Sequence, residues 1–206
     1  MAQPTVVAAS PRATRLPAAV RRRQLLDTAL TVFSDRSYHA VSMDEVAEAA
    51  GVTKPVLYQH FGSKRALYLE LLSDVGAQLG EALAKATAQA ASPHEQVERG
   101  FRAYFRFVQD HEAAFRLLFS GGARRDPEFR HAARRVEDGL AQVVASLIDA
   151  DIDDDHRHQL AYGVVGLAEA TSRHWLSRPA GRTDPEVLAK RMAQLAWAGL
   201  RGVSRD

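Results

Sequence analysis

The chain has 206 residues, of which 46% are hydrophobic and 25% charged, values typical of a globular protein. It contains no cysteine, which excludes disulfide bonds, cysteine-ligated metal sites and thiol nucleophiles. No apolar run approaches the roughly 18 residues that a membrane span requires, so we expect a cytoplasmic protein that does not enter a membrane.

The net charge is +2, but the positive charge is concentrated at the amino end. Residues 1–64 hold eight Lys or Arg against five acids. Five cations precede the first acid, Asp27: Arg12, Arg15, Arg21, Arg22 and Arg23. A basic arm attracted to phosphates is one interpretation, and a solvated tail that aids solubility is the other.

The first elements follow from apolar spacing and capping residues. Residues 1–17 contain three prolines and no periodic apolar positions, which predicts a flexible tail. Apolar residues from Leu25 to Phe33 recur at three- and four-residue intervals, which predicts a helix over 18–36. After a break, Ser42 with Glu45 forms a capping box that begins a second helix, and Gly51 ends it.

Three later helix starts have the same capping pattern. Ser92-Pro93, Asp126-Pro127 and Asp184-Pro185 each pair an N-cap side chain with a proline at the first helical position, and a glutamate follows shortly. No alternating strand pattern occurs between them, so we predict an all-α protein of about nine helices. The predicted spans are 18–36, 42–50, 53–61, 63–91, 93–110, 112–120, 127–150, 154–178 and 185–203.

The segment GVTKPVLYQHFGSK, residues 51–64, joins two of these helices at Gly51, where a positive φ redirects the chain. A small Ala47 allows the two helices to cross closely. The predicted buried seam is Val46, Ala50, Val52, Leu57 and Phe61. The predicted exposed set is Thr53, with its side chain capping the helix, then Lys54, Pro55, Val56, Tyr58, Gln59 and His60.

Hydroxyl, ammonium, amide, phenol and imidazole groups beside one apolar side chain suit the edges of bases in a DNA major groove. Lys64, in the first turn after Ser63, and Ser42, at the cap of the preceding helix, are expected to bind phosphates from either side. Arg22 is a further candidate DNA contact. The alternative is a two-helix corner with a polar outer face in a protein that binds no DNA.

The run from Leu25 to Lys64, with SMDEVAEAAGVTKPVLYQHFGSK at its centre, resembles the amino-terminal DNA-binding domain of the TetR family of bacterial transcriptional regulators. The resemblance implies that Lys54, Pro55, Val56 and Tyr58 face bases. It implies phosphate contacts for Ser42, Gln59, His60 and Lys64. Tyr58 could instead pack its ring on the first helix.

The resemblance also implies a helix-turn-helix domain over 18–64, after the tail 1–17, and an effector-binding and dimerisation domain over 65–206. Two-fold operators require a homodimer, and the last two helices carry stripes that suit a four-helix interface. Those stripes could also serve the core of one chain. The candidate dimer residues are Leu160, Val164, Leu167, Thr171, Trp175, Leu188, Met192 and Leu195.

Aromatic residues are concentrated in the middle helices. Core packing is one explanation of such a cluster. The alternative is that the aromatic side chains line an elongated apolar pocket. HEAAFRLLF and GLAEATSRHWL are similar to family members that sense lipid-derived ligands such as fatty acyl thioesters. The candidate ligand residues are Phe101, Arg102, Tyr104, Phe105, Phe115, Leu118 and Phe119. Arg102, Arg106 or Arg116 is expected to meet an acidic head group.

Catalytic and metal motifs are incomplete. Asp151, Asp153 and Asp155 have the spacing of a calcium loop, but His156 and Tyr162 occupy the positions that require Gly and Glu. His94-Glu95 and His111-Glu112 lack the second His of a zinc-protease motif. We expect no metal, no cofactor and no enzymatic activity. The remaining rival is a DNA-binding regulator controlled by a protein partner instead of a small effector.

Overall fold

The computed structural model describes residues 17–36, 38–119, 126–178 and 180–203. Over these ranges the chain forms nine α-helices, one 3-10 turn and no strand, which confirms the predicted all-α fold. The helices are α1 Ala18–Asp35, α2 Met43–Ala49, α3 Lys54–His60, α4 Lys64–Thr87, α5 Pro93–Asp110, α6 Glu112–Phe119, α7 Pro127–Ala145, α8 Asp154–Leu176 and α9 Pro185–Leu200, with the 3-10 turn at Tyr38–Ala40. The predicted flexible tail, apart from Pro17, lies outside the described residues.

The helix starts follow the predicted caps. Ser42 and Glu45 form both bonds of a capping box. The side chains of Ser92, Asp126 and Asp184 each accept backbone N–H bonds at a helix that begins with proline. Thr53 occupies the N-cap position of α3, but its hydroxyl makes no capping bond, so that part of the prediction was wrong.

Two predicted helices are shorter than expected. α4 ends at Thr87 instead of residue 91, and α7 ends at Ala145 instead of residue 150. Beyond α7, the guanidinium of Arg157 donates to the carbonyls of Ile148, Ala150 and Ile152. These carbonyls bond to a side chain instead of continuing the helical ladder, and the chain turns back toward α8.

One continuous hydrophobic core runs through the described part of the chain. α1 packs on α2 and on α4, α2 packs on α3, and α4 then continues into the larger helical layer. There α5 packs between α4 and α9, while α7 packs between α4 and α8. α6 lies against α1. Among the described residues, no helix is both long and apolar enough to cross a membrane.

Candidate nucleic-acid interface and ligand cavity

The turn between α2 and α3 has the geometry expected of a helix-turn-helix. Gly51 has a φ of 64°, and the N–H of Val52 donates to the carbonyl of Ala47 at 2.9 Å. Ala47 is buried, as the close crossing of the two helices requires. Four of the five predicted seam residues are buried and Val52 is partly buried. This seam fixes which face of α3 points outward.

The outward face of α3 carries most of the predicted base contacts. Thr53, Lys54, Pro55, Tyr58 and Gln59 are exposed, while Val56 and His60 are half-buried. Tyr58 is 41% exposed, so its ring does not take the alternative packed position. The hydroxyl of Thr53 makes no capping bond, which leaves it able to meet another partner.

Lys54 is paired within the chain. Its ammonium lies 2.9 Å from Oδ1 of Asp44, the second residue of α2. This hydrogen-bonded carboxylate raises the pKa of the Lys54 ammonium. Both charges remain exposed to solvent.

The other two predicted cations are also bonded within the chain. Arg22 donates to the carbonyl of His60 at 2.6 Å and to Glu70 at 2.5 Å, above the ring of Phe61. Lys64 donates to the carbonyls of Tyr38 at 3.0 Å and Val41 at 2.8 Å. Arg22 therefore ties α1 to α3 and α4, and Lys64 ties the start of α4 to the segment before α2. The phosphate contacts of both cations stay predictions.

Ser42 lies at the exposed start of α2, where its hydroxyl accepts from the N–H of Glu45. The Glu45 carboxylate in turn accepts from the backbone N–H of Ser42 at 2.7 Å and pairs with Arg36 at 2.8 Å. Bonds from the backbone and hydroxyl of Ser42, followed by that of Arg36, lower the pKa of Glu45 from 4.5 to about 2. An incoming phosphate at this helix start would meet a carboxylate already in place.

A cavity of about 430 Å³ lies among five helices of the larger layer. This volume is in the range of ~300–1,000 Å³ typical of small-molecule sites. Its apolar walls include Leu83 of α4, Val97, Phe101 and Tyr104 of α5, Leu140, Val143 and Val144 of α7, Val164, Val165 and Ala168 of α8, and Trp197 and Leu200 of α9. The polar or charged side chains on its lining include Thr87, Gln96, Asp149 and Arg201.

Two of the seven predicted ligand residues, Phe101 and Tyr104, line this cavity. Phe105, Phe115 and Leu118 are also buried in the core, but they do not line the cavity. The side chain of Phe119 lies outside the described residues. The expected head-group cations are also engaged elsewhere: Arg102 and Arg106 share Glu186, and Arg116 pairs with Glu112.

The candidate dimer residues have different environments. Trp175 and Leu188 are buried within the chain, and the Trp175 indole donates to the carbonyl of Thr183 at 2.8 Å. Leu195 is 57% exposed. The other five are half-buried: Leu160, Val164, Leu167, Thr171 and Met192. The stripes therefore serve the core of the chain in part, which is the alternative that the sequence left open.

The first turn of α7 contacts the helix-turn-helix region. Phe129 packs its ring on Tyr38 and Tyr68, while Arg65 pairs with Asp126 at 2.8 Å and also with Glu128. Arg65, with the N–H groups of Glu128 and Phe129, lowers the pKa of Asp126. Because α7 also lines the cavity, one helix contacts both candidate sites.

The acidic segment before α8 acts as a cap. Asp153 accepts from the N–H of His156 at 2.8 Å. Across the described ranges, no group of three or more His, Asp or Glu side chains is arranged to hold a metal ion.

Comparisons with known proteins cover most of the chain. Residues 25–71 match the family described as bacterial regulatory proteins, tetR family, and residues 93–199 match the tetracyclin repressor-like C-terminal domain. The transcriptional activator FasR of Mycolicibacterium smegmatis is 34% identical, over 93% of this chain and 88% of that protein.

Two solved structures illustrate the fold. A TetR-like regulator from Rhodococcus sp. RHA1 is 33% identical with a TM-score of 0.72, over 92% of this chain and all of that one. FadR from Bacillus subtilis, in complex with stearoyl-CoA, has a TM-score of 0.73 at 17% identity, over 86% of this chain and 98% of that one. At that identity the likeness shows the fold alone.

Proposed function

The chain belongs to the tetR family of bacterial regulatory proteins and is a transcriptional regulator, not an enzyme, and from this premise we propose that it binds a palindromic operator as a homodimer. Residues 53–60 of each chain lie in one major groove, and a small apolar ligand with an acyl chain modulates the affinity. The protein works in the cytoplasm, where its DNA lies.

The observation that carries the operator proposal is the exposed face of α3, with Lys54, Tyr58 and Gln59 beside an unbonded Thr53 hydroxyl. The buried seam under α3 holds this face outward, which is the arrangement that lets a helix enter a groove. Ammonium and amide groups are donors to base edges, and the amide also accepts.

A homodimer is supported by the distribution of exposed apolar side chains. Of the five large ones among the described residues, three lie on the last two helices: Tyr162, Val187 and Leu195. A two-fold pair would set the two α3 helices about 34–36 Å apart, one turn of DNA. Leu195→Glu is expected to shift the protein toward monomer and to abolish operator binding, as measured by sedimentation and gel shift.

The ligand proposal is supported by the cavity's walls, which are apolar except at a few polar groups. Such a lining suits an alkyl chain whose polar head lies at Gln96, Asp149 or Arg201. Those polar residues take the place of the arginines on α5 and α6, which are paired elsewhere. A fatty acyl thioester is the ligand class that we propose.

Coupling between the sites is supported by α7 and α4. A ligand that displaces Leu140, Val143 or Val144 moves α7, whose N-cap Asp126 pairs with Arg65 and whose first turn packs Phe129 on Tyr38. α4 lines the cavity near its end, at Leu83 and Thr87, and its first turn carries Arg65. A shift of either helix changes the spacing of the two α3 helices and therefore the DNA affinity.

The operator is identified by selecting bound fragments from a genomic library with the full chain. Tyr58→Ala and Gln59→Ala are expected to lower affinity for the selected operator at least tenfold. Gln142→Ala, an exposed position on α7, is the matched control and binds as wild type. A wild-type protein with no preference over random duplex would refute the operator proposal.

Ligand binding is followed by tryptophan fluorescence, because Trp197 lines the cavity and Trp175 is the chain's other tryptophan. In a Trp175→Phe background, acyl-CoA thioesters of graded length are expected to change the emission of Trp197 and to alter operator affinity. Val144→Phe fills the cavity and is expected to remove both effects of the thioesters. If neither the emission of Trp197 nor the operator affinity depends on acyl-chain length in the protein without Val144→Phe, the alternative is favoured. That alternative is a regulator controlled by a protein partner.

A further inference from the structure

Lys54 is the single Lys or Arg between residues 37 and 63, and it enters the proposed reading face already paired. Its Nζ lies 2.9 Å from Oδ1 and 3.1 Å from Oδ2 of Asp44. The pair joins the first residue of α3 to the second residue of α2, so it spans the two helices of the helix-turn-helix. The side chains are 54% and 64% exposed.

Stability does not explain this pair. Ion pairs between exposed charges contribute little to folding, because water solvates both partners and ordering two side chains has an entropic cost. Other features fix the crossing of α2 and α3, namely Gly51 and the buried seam. The place of Lys54 on the proposed reading face favours a role of the pair in DNA binding instead.

An unpaired lysine at a DNA surface is attracted to the backbone phosphates, which carry no sequence information. Asp44 compensates the charge of Lys54 and would itself be repelled by a nearby phosphate. The ammonium keeps at least one N–H group that is not bonded to Asp44, and the carboxylate keeps unused lone pairs. The pair therefore presents a hydrogen-bond donor beside an acceptor. Its net attraction to the DNA phosphates is weaker than that of an unpaired lysine.

This pattern matches the major-groove edge of a G·C pair. Guanine presents the acceptors O6 and N7, and cytosine presents the N4 amino donor. O6 and N4 are hydrogen-bonded to each other, so they are spaced by one hydrogen-bond length, as are Nζ and Oδ1 here. A lysine donating to guanine and an aspartate accepting from cytosine N4 are both known pairings of side chain and base.

We propose that Asp44 is a specificity-determining residue which, together with Lys54, reads one G·C pair in each half-site: Lys54 donates to guanine O6 or N7, and Asp44 accepts from N4 of the paired cytosine. This inference rests on the proposed function, since it requires α3 to enter the major groove. Asp44 lowers binding to random DNA and raises the penalty for a wrong base at that position.

The test uses the full chain and the operator selected with wild type. Asp44→Asn is compared with Glu48→Gln, which removes one negative charge from an exposed position of α2 that has no ion pair with a described residue. Both variants are expected to bind random duplex more tightly by a similar factor. Asp44→Asn is expected in addition to reduce discrimination at one symmetric G·C position by about tenfold, a typical loss for one base contact.

Three further measurements complete the test. Asp44→Glu keeps a carboxylate and is expected to recover part of the base discrimination that Asp44→Asn loses. If Asp44→Asn lost discrimination only because its fold was damaged, this recovery would not be expected. Lys54→Ala is expected to lose discrimination at the same position, with no additional loss when combined with Asp44→Asn. Lys54→Ala is also expected to leave the dependence of log K on log salt unchanged, because a base contact releases no counterion.

The outcomes separate this inference from the operator proposal. If wild type prefers no duplex, the proposed function fails and this inference fails with it. If wild type is specific but Asp44→Asn behaves as Glu48→Gln at every position, Asp44 reads no base. A fall in the salt slope of about one per chain in Lys54→Ala would assign Lys54 to a phosphate, and an A·T pair selected at the affected position would refute the base assignment.

Discussion

The ring of Phe129 lies 4.7 Å from the ring of Tyr38, with the two planes at 72°. Phe129 belongs to α7, which lines the cavity, whereas Tyr38 belongs to the 3-10 turn before the helix-turn-helix. Phe129 is 1% exposed and also packs on Tyr68 of α4 at 4.6 Å. One buried ring thus connects the two candidate sites.

Phe129→Leu is expected to separate ligand binding from DNA binding. The variant keeps an apolar side chain but loses the ring contacts, so we expect a loss of about 1–3 kcal/mol in unfolding free energy. We expect this variant to retain its operator affinity without ligand. The change in operator affinity that an acyl-CoA probe causes should be strongly reduced. Phe115→Leu, also buried but on α6, which does not line the cavity, is the control that loses similar stability and keeps the response. A full response in Phe129→Leu would show that coupling bypasses this contact.

Gly76 sets the distance between α4 and α7. A Cβ at this position would lie 2.6 and 2.7 Å from the two Cγ atoms of Val136. Gly76→Ala is therefore expected to force the helices apart and to lower the unfolding free energy by about 1–3 kcal/mol. Val136→Ala in the same chain should recover much of that loss, as measured by urea denaturation. Simple additivity of the two substitutions would contradict the predicted contact.

Gly51 is required for its backbone conformation and not for space. Its φ is 64°, and a Cβ there would have no atom within 4 Å. Gly51→Ala is expected to cost about 1–2 kcal/mol, the penalty of left-handed backbone, and Gly51→Asn less. Gly181, with a φ of 71°, provides a matched control outside the helix-turn-helix. Both alanine variants should lose stability in denaturant titrations, and only Gly51→Ala should also weaken operator binding.

Glu45 predicts a pH dependence at the start of α2. Its pKa is about 2 in the folded chain against an ordinary 4.5, because Ser42 and Arg36 bond to the carboxylate. A lowered pKa means that this contribution is present above about pH 4.5 and is lost as the pH falls toward about 2. The stability difference between wild type and Glu45→Gln should therefore shrink across that window in denaturant titrations. Glu48→Gln tests whether removing any acid from α2 has the same effect.

Local signals in the sequence predicted many features of the fold. The capping box at Ser42, the three cap-proline pairs and the turn at Gly51 depend on residues a few positions apart, so their chemistry is visible in a short window. The buried seam under α3 follows from helical periodicity in the same way. These signals also carried the family resemblance, which the comparisons confirmed.

The cavity could not be predicted in the same way. Its walls come from five helices separated by up to a hundred residues, so no periodic stripe distinguishes a wall residue from a core residue. The aromatic cluster on α5 and α6 suggested one pocket, yet Phe101 and Tyr104 line the cavity while Phe105 and Phe115 fill the core. Helix rotation against its neighbours decides this, and rotation depends on packing.

By itself, then, the sequence determined where the helices begin, where the chain turns and which face of α3 is left outside, because backbone bonding and amphipathic spacing are local. Only the tertiary structure decided the partners of the charged side chains. Arg22 and Lys64 bond to carbonyls of their own domain, and Lys54 pairs with Asp44 across the turn. A cation bonds to the acceptor that folding brings within reach, and that acceptor is often distant along the chain.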